Sequence, residues 1–444
     1  MAKKLMIFLL LGCFIVGCAI LPETSNIVEV TNTEQNPALG TVEASVVPTM
    51  TIEPTKTSMP KEIQDIEELT RWIDNYVKAN DGKVQINGVE MDRSQLEAEV
   101  RNNIKSYLVT KYVNNSGTQF LVINSTPIAI KADGEKWKEA TLKMLGDIVG
   151  VKIGTLLGDP NISKIFIDTY WRNEYHIGVS CFDNSNITRN GETDWDWSNT
   201  QFQMAKTNDL ETRLQAVLFG LYRPSWANED VTQEDLDMMT RLIVKYAKEK
   251  GVTEIVVTNE STPYIDQYRN DIYWDKFGID YILNAFRLTK EIYPEAKLIF
   301  NDTGNHTYWS TSTKTTREIA NKLLEEGLID YVGVEMHVDD FFMPNKDEIV
   351  EVFQSYPVPV VITEFDALLE NIPANQKSEE MARITKIVFD GCLESGVCLS
   401  ITTWGENDAT TWEGRSVLHD QWNQRKMAYY VAMQSLYEHI PQVE

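Results

Sequence analysis

From about Gly134 onward, short β-branched runs alternate with stretches whose apolar residues recur at helical spacing. The candidate strands are Val151–Leu156, His176–Cys181, Leu214–Gly220, Glu254–Thr258, Lys297–Asn301, Tyr331–Glu335, Pro359–Thr363 and Val397–Thr403. Helical patterns lie between them, as at Asp235–Lys250, Asp280–Tyr293 and Ser312–Glu326. Eight strands alternating with helices over roughly 300 residues predict an α/β fold, a (β/α)8 TIM barrel rather than an open sheet. No 20–50-residue repeat and no dinucleotide or P-loop glycine motif interrupts the alternation.

The chain before this point has a different texture. Ile63, Ile66, Leu69, Ile73, Tyr76 and Val77 fall at helical spacing, and a second such stretch surrounds Leu96, Val100, Ile104 and Leu108. Asn80-Asp81-Gly82 and Asn87-Gly88 read as turns. Phe120–Ile123 and Pro127–Ile130, split by Asn124-Ser125-Thr126, read as a hairpin. Residues 61–134 thus form a small mixed helical and hairpin region without a chemical motif, ahead of a barrel at 135–444. Ala19 to about Pro60 holds no aromatic residue and is dominated by Thr, Ser, Pro and Glu. Such a segment cannot bury enough surface to offset its ordering entropy, so 19–60 reads as a flexible tether.

Residues 1–18 read as a targeting signal. Lys3-Lys4 form a basic start, and Leu5 to Val16 is apolar but too short for a permanent membrane helix. The stretch ends in Ile15-Val16-Gly17-Cys18, which resembles a bacterial lipobox with Cys18 as the lipidated residue. Leu10-Leu11-Gly12-Cys13 would leave a very short apolar core, and a plain secretory signal is the other reading. The expectation is a protein lipid-anchored to the bacterial envelope or cell surface. Cys13 and Cys18 belong to the signal, leaving Cys181, Cys392 and Cys398 of the five cysteines. After export, Cys392 and Cys398 could close a small ring. Cys181 then reads as a buried thiol behaving as a small hydrophobe.

Composition adds constraints of its own. The chain has 444 residues, 43% apolar and 24% charged, which suits a large core under a soluble surface. Asp and Glu outnumber Lys and Arg 66 to 41, a formal charge of −25. That field repels phosphate backbones and argues against a nucleic-acid partner, whereas a neutral polysaccharide is not penalised. Eleven Trp and eighteen Tyr are compatible with sugar stacking, though a core of this size uses many aromatics by itself. A monomer is expected, with the membrane met only through the lipid.

Two glutamates stand out chemically. Glu260 and Glu364 each end a short apolar run, Ile255-Val256-Val257 and Val358-Pro359-Val360-Val361-Ile362. Strand C-termini are where barrel enzymes keep their chemistry, and two carboxylates on separate strands suit a glycosidase. A Glu after a strand also commonly faces solvent or pairs with Lys, so pattern alone leaves both readings open. His176, His306, His419 and His439 show no metal-ligand spacing, and no G-x-S-x-G elbow occurs; neither metal nor cofactor is expected.

From about Lys136 to the C-terminus the chain resembles glycoside hydrolase family 10, chiefly endo-β-1,4-xylanases. Val257-Thr258-Asn259-Glu260 resembles the family's acid/base motif, and Ile362-Thr363-Glu364-Phe365-Asp366 its nucleophile motif I-T-E-L-D. Tyr281 to Phe286, Pro294 to Asp302, Ile329 to His337, and Ile401-Thr402-Thr403-Trp404-Gly405 with Asp408 and Trp412 follow in the family's order. The resemblance implies a TIM barrel and retaining hydrolysis, with Glu260 as acid/base and Glu364 as nucleophile. It further implies that His337 donates to Glu364 with Asp366 orienting the imidazole, and that Asn259 binds the sugar 2-hydroxyl. Trp404 and Trp412 would floor and wall the reacting sugar, and Cys392–Cys398 would be a disulfide. Read singly, His337 is an ordinary core histidine, Asp366 a loop cap and Trp404 a core residue.

The glycone side departs from the family. On the third strand Gln215 and Gly220 stand where the family has histidines, and Phe219 where it has Trp. On the second, Cys181, Phe182 and Ser185 replace a Glu, Asn and Lys. Glu335 stands where the family usually has Gln, a third carboxylate that should raise a pKa or require a compensating cation. Lost partners for sugar hydroxyls change which sugar is accepted. The expected function is a β-1,4-xylan-type hydrolase. The alternatives are a non-catalytic glycan-binding lipoprotein on a degenerate barrel, or a retaining β-glycosidase acting on another glycan.

Overall fold

The computed structural model describes residues 68–114, 116–132, 134–158, 172–228, 230–262, 271–339 and 343–441. The signal and tether readings, with Cys13, Cys18, Ile63 and Ile66, lie outside the described residues. Among the described residues no helix is long and apolar enough to cross a membrane.

Eight parallel strands close into a barrel: β1 (Lys152–Leu156), β2 (Ile177–Cys181), β3 (Glu211–Gln215), β4 (Glu254–Asn259), β5 (Lys297–Asp302), β6 (Tyr331–Asp339), β7 (Val360–Leu368) and β8 (Cys398–Thr403). β8 pairs with β1, completing the ring. A short piece, Leu218–Phe219, continues the third strand's path against β4. The helices between strands turn apolar stripes inward. Gln233–Lys250 buries Leu236, Met239, Ile243, Val244 and Ala247, is boxed at its start by Thr232 and Asp235, and ends on left-handed Gly251.

Three strands differ from the sequence expectation by more than one residue at an end. β6 and β7 run on to Asp339 and Leu368, past Glu335 and Thr363. Their polar residues continue the pairing, Glu335 beside Glu364 and His337 beside Asp366, so the polar stretch is strand rather than loop. The third strand begins at Glu211, three residues before the expected Leu214, and breaks after Gln215. The early start is hidden by Arg213, a fully buried charge. Its guanidinium donates to Glu254 Oε2 at 2.8 Å, Thr402 Oγ1 at 3.0 Å and Ser400 Oγ at 3.2 Å inside the barrel.

The region before the barrel contains the helix Leu69–Ala79, which buries Leu69, Trp72, Ile73, Tyr76 and Val77. A second helix, Arg93–Asn102, buries Leu96 and Val100. Leu108, expected in that helical pattern, instead opens a strand (Leu108–Val113) that pairs with Ser116–Ile123. The expected hairpin is present: Ser116–Ile123 pairs antiparallel with Thr126–Lys131 across Asn124 and Ser125, both at positive φ. Lys138–Glu139 adds a fourth strand. This unit packs on the last helix, Met427–Glu438, through the ring pairs Tyr76–Tyr430 and Phe120–Tyr437, each 5.2 Å between centroids. Arg425 bridges the two parts, bonded to Glu139 at 2.5 Å and to Glu174. Cys392 and Cys398 are joined, with an S–S distance of 2.04 Å.

Candidate active site

The C-terminal ends of β3 to β7 bring together Gln215, Asn259, Glu260, Asn301, Glu335, His337, Glu364 and Asp366. Parallel register explains the gathering. Asn259 is level with Asn301, Glu335 with Glu364, and His337 with Asp366. Two-residue periodicity then places Glu335 and His337 on one face of β6, and Glu364 and Asp366 on one face of β7.

Glu364 is buried and surrounded by donors. Oε2 meets His337 Nε2 at 2.9 Å, while Oε1 receives Asn301 Nδ2 at 3.2 Å and Gln215 Nε2. The other ring nitrogen of His337 faces Asp366 Oδ1 at 2.9 Å. Burial alone would lower the imidazole pKa, but Asp366 and Glu364 outweigh it and raise it to about 9. His337 is therefore an imidazolium at neutral pH, donating from both nitrogens. Asp366 is fully buried and accepts Trp412 Nε1 at 2.8 Å on Oδ2, with Arg415 Nε 3.2 Å from Oδ1. Five donors and two cations thus fix the carboxylate pair Glu364 and Asp366 in place.

Glu335, His337 and Glu364 each offer an atom within 4.8 Å of the others, close enough to hold an ion. In the same place His337 links the two carboxylates, Glu364 on Nε2 and Asp366 on Nδ1, as a chain of ion pairs.

Glu260 follows β4 with φ +47°, a left-handed conformation that costs a side-chain-bearing residue about 1–2 kcal/mol. The turn breaks the strand alternation directly after Asn259 and leaves Glu260 buried at the end of β4. Its backbone N–H is held by the carbonyl of Asn301 at 3.2 Å. The next turn is fixed by Asp302, whose Oδ2 accepts the Thr262 N–H at 3.0 Å. Asn259 Oδ1 accepts Asn301 Nδ2 at 2.6 Å and lies 3.4 Å from Gln215 Nε2.

Trp404 packs with Ile177, Val179 and Cys181, and Trp412 lies against this cluster. Their rings stand 6.3 and 5.2 Å from the His337 ring, both edge-on. Cys181 is buried in that wall. Phe182 stacks on Trp195 at 4.8 Å, and Ser185 is bonded to Asp183 on an exposed turn. At Gly220 a side chain would collide with the Asp271 carboxyl, which fills the space beside the third strand. Burial raises that carboxyl to about 6, although the Tyr273 N–H and Tyr281 hydroxyl donate to it at 2.9 and 3.0 Å.

Asn301 and Arg415 carry roles that the sequence reading did not assign. A buried Asn ending an apolar strand was the available signal for Asn301. Arg415 lies eleven residues past Trp404 in a loop, where nothing in the sequence marks its approach to Asp366.

Comparison with known proteins places the arrangement. The family model for glycosyl hydrolase family 10 matches residues 182–435, more than half of the chain. An endo-1,4-beta-xylanase of Gibberella zeae is 25% identical over 272 residues, covering 55% of this chain and 75% of its own. An exoglucanase of Acetivibrio thermocellus is 29% identical over 194 residues, 42% of this chain but 18% of its own. Among solved structures, xylanase 10B from Thermotoga petrophila, in complex with xylobiose, superposes with a TM-score of 0.62 at 23% identity, covering 68% of this chain and 99% of that one. With the ordered motifs, the closed eight-stranded barrel and a family match spanning more than half its length, this chain belongs to glycosyl hydrolase family 10.

Proposed function

We propose that this glycoside hydrolase cleaves β-1,4-xylan-type polysaccharide with retention of configuration, using Glu260 as acid/base and Glu364 as nucleophile. The observation that carries the reading is the seat of Glu364. An imidazolium and two amide donors converge on its carboxylate, and Asp366 fixes the imidazolium from behind. Such a seat keeps a carboxylate ionised and aimed.

In the first step a Glu364 oxygen forms a bond to the anomeric carbon as the glycosidic bond breaks, and the Glu260 proton passes to the leaving oxygen. In the second, water gives a proton to Glu260 and its oxygen bonds the anomeric carbon, releasing Glu364 as carboxylate. The two carboxyl groups should stand about 5–5.5 Å apart for this chemistry. Asn259, its amide oxygen occupied by Asn301, offers its N–H groups to the sugar 2-hydroxyl. Trp404 and Trp412 supply the apolar wall. The polysaccharide is the partner of a monomer held at the envelope or cell surface by lipid on Cys18.

The glycone pocket supports a narrower statement about preference. Gln215 gives its side-chain donor to Glu364, and the space beside Gly220 is taken by Asp271. Sugar hydroxyls on that side meet fewer donors, which favours a glycone other than plain xylan or a substituted one. Reducing-sugar release across a polysaccharide panel identifies the substrate, and product NMR reads the anomer. Xylan-type release with the β-anomer formed first is expected; an α-anomer first product would overturn retention. Loss of all turnover in E364Q separates a hydrolase from a glycan-binding barrel.

A further inference from the structure

The hydrolytic scheme gives no task to the unit before the barrel, yet a continuous run of contacts joins its fourth strand to the seat of Glu364. The run starts at Glu139, which accepts Arg425 Nη1 at 2.5 Å and, from the helix Leu69–Ala79, Asn75 Nδ2 at 3.3 Å. Arg425 also meets buried Glu174, and its guanidinium lies 4.7 Å from the centre of the Tyr429 ring. The backbone of Arg425 pairs antiparallel with His419, and the Lys426 N–H donates to the Leu418 carbonyl at 3.0 Å. Lys426 Nζ reaches both Asp408 oxygens at 2.9 and 2.8 Å and Ser416 Oγ at 2.5 Å, while Asp408 Oδ1 accepts the Val417 N–H. Ser416 exchanges both backbone hydrogen bonds with Ala367, the residue after Asp366. Its neighbour Arg415 stands 3.2 Å from Asp366 Oδ1, and Trp412 Nε1 donates to Asp366 Oδ2 at 2.8 Å. Asp366 in turn holds His337 against Glu364.

Between β8 and the last helix, residues 404–426 run as loop apart from one short helical turn, Trp412–Gly414. A loop of that length lacks a regular ladder to hold its backbone, so its order depends on anchors along its two legs. The outgoing leg is pinned where Ser416 pairs with Ala367. The return leg is pinned by Arg425 and Lys426, immediately before the helix begins at Met427. The N-terminal unit covers that helix as well, with Lys111 Nζ donating to the Tyr437 carbonyl at 2.6 Å. We propose that this unit is a brace for the nucleophile's seat, with Glu139 a positioning residue that acts through Arg425 on the loop holding Arg415 and Trp412 to Asp366. The proposal rests on the assignment of Glu364 as nucleophile. A planar guanidinium whose two ends meet different carboxylates is fixed in orientation. Removing the Glu139 carboxylate lets that group relax together with the backbone carrying it, and small misplacements around a reacting carboxylate are expensive in rate.

The test is a double-mutant cycle between Glu139 and Arg415, read as kcat and KM on an aryl glycoside at a temperature where every variant is fully folded by circular dichroism. E139A should lower kcat by about 2- to 30-fold, the size of effect expected along a coupling network, with KM near wild type. E139Q, which keeps an acceptor for Arg425, should recover part of that loss. In an R415M background E139A should cost nothing further, because the contact it serves is already gone. Wild-type kcat in E139A would overturn the proposal, and so would equal losses with and without Arg415. Should E139A fail to fold, E139Q carried through the same cycle decides by the same criterion. Activity surviving in E364Q would sink the nucleophile assignment, whereas the coupling of Glu139 to Arg415 is read in proteins that keep Glu364.

Discussion

Asn301 and Gly333 lie level across β5 and β6, and Asn301 Oδ1 occupies the space a Gly333 side chain would need. The absent Cβ lets the amide reach across the barrel to Asn259, Glu335 and Glu364 together. Gly333→Ala should displace that amide, costing about 1–3 kcal/mol of stability as overpacking. Activity should fall further than stability accounts for, by about 100-fold in kcat/KM, as when one preorganised donor is lost. Denaturant titration beside steady-state kinetics separates the two effects.

Asn301→Ala should act on the same network from the other side. It removes the donor shared by both carboxylates and by Asn259, so kcat/KM should drop by about 100- to 1,000-fold. If Asn259 binds the 2-hydroxyl, the loss should shrink on a 2-deoxy aryl glycoside. An equal loss on both substrates would detach Asn301 from that contact.

His337 gives the fold a pH-dependent contribution. Its folded pKa of about 9 stands above the ordinary 6.5, so folding favours the protonated ring. The stabilisation is complete below about pH 6.5, declines as pH rises, and is gone above about 9. Its size is on the order of 3 kcal/mol for a shift of this extent. Wild type should therefore lose stability over that window more steeply than His337→Asn, compared by urea denaturation. Parallel slopes would show that the imidazole is not charged in the native state.

Arg425 tests the joint between the N-terminal unit and the barrel. It is 7% exposed in its side chain and bridges Glu139 and Glu174. Removing one partner of a buried ion pair typically costs about 3–5 kcal/mol, because the remaining charges lose their compensation. Arg425→Met should lower the unfolding midpoint while leaving KM at low temperature near wild type. A cooperative single transition in both proteins would identify the two parts as one folding unit.

Much of this was legible in the chain. Each barrel strand overlaps an apolar run, and the ordered motifs from Val257 to Trp412 carry the family. What escaped was set by partners distant in sequence. Arg213 conceals a strand start because its charge is answered by Glu254, Thr402 and Ser400 on other strands. Glu335 to Asp339 and Glu364 to Leu368 look like strand ends because a polar stretch in a barrel wall is stable only when a neighbouring strand supplies matching groups. Leu108 continues a helical spacing yet pairs with Leu121 in a sheet, a tertiary contact overriding local periodicity. The occupancy of the Gly220 space by Asp271, and the reach of Arg415 to Asp366, depend on loop paths that local pattern does not encode.

The role of Glu364 is tested most directly by trapping the covalent intermediate. Incubation with an activated aryl 2-deoxy-2-fluoro-β-xylobioside should slow the second step and leave a glycosyl ester, read by mass spectrometry of the intact protein and its peptides. The account predicts one adduct, on the peptide bearing Glu364, and none on E364Q. An adduct on Glu335 or Glu260, or steady turnover of ordinary substrates with no adduct formed, would contradict it.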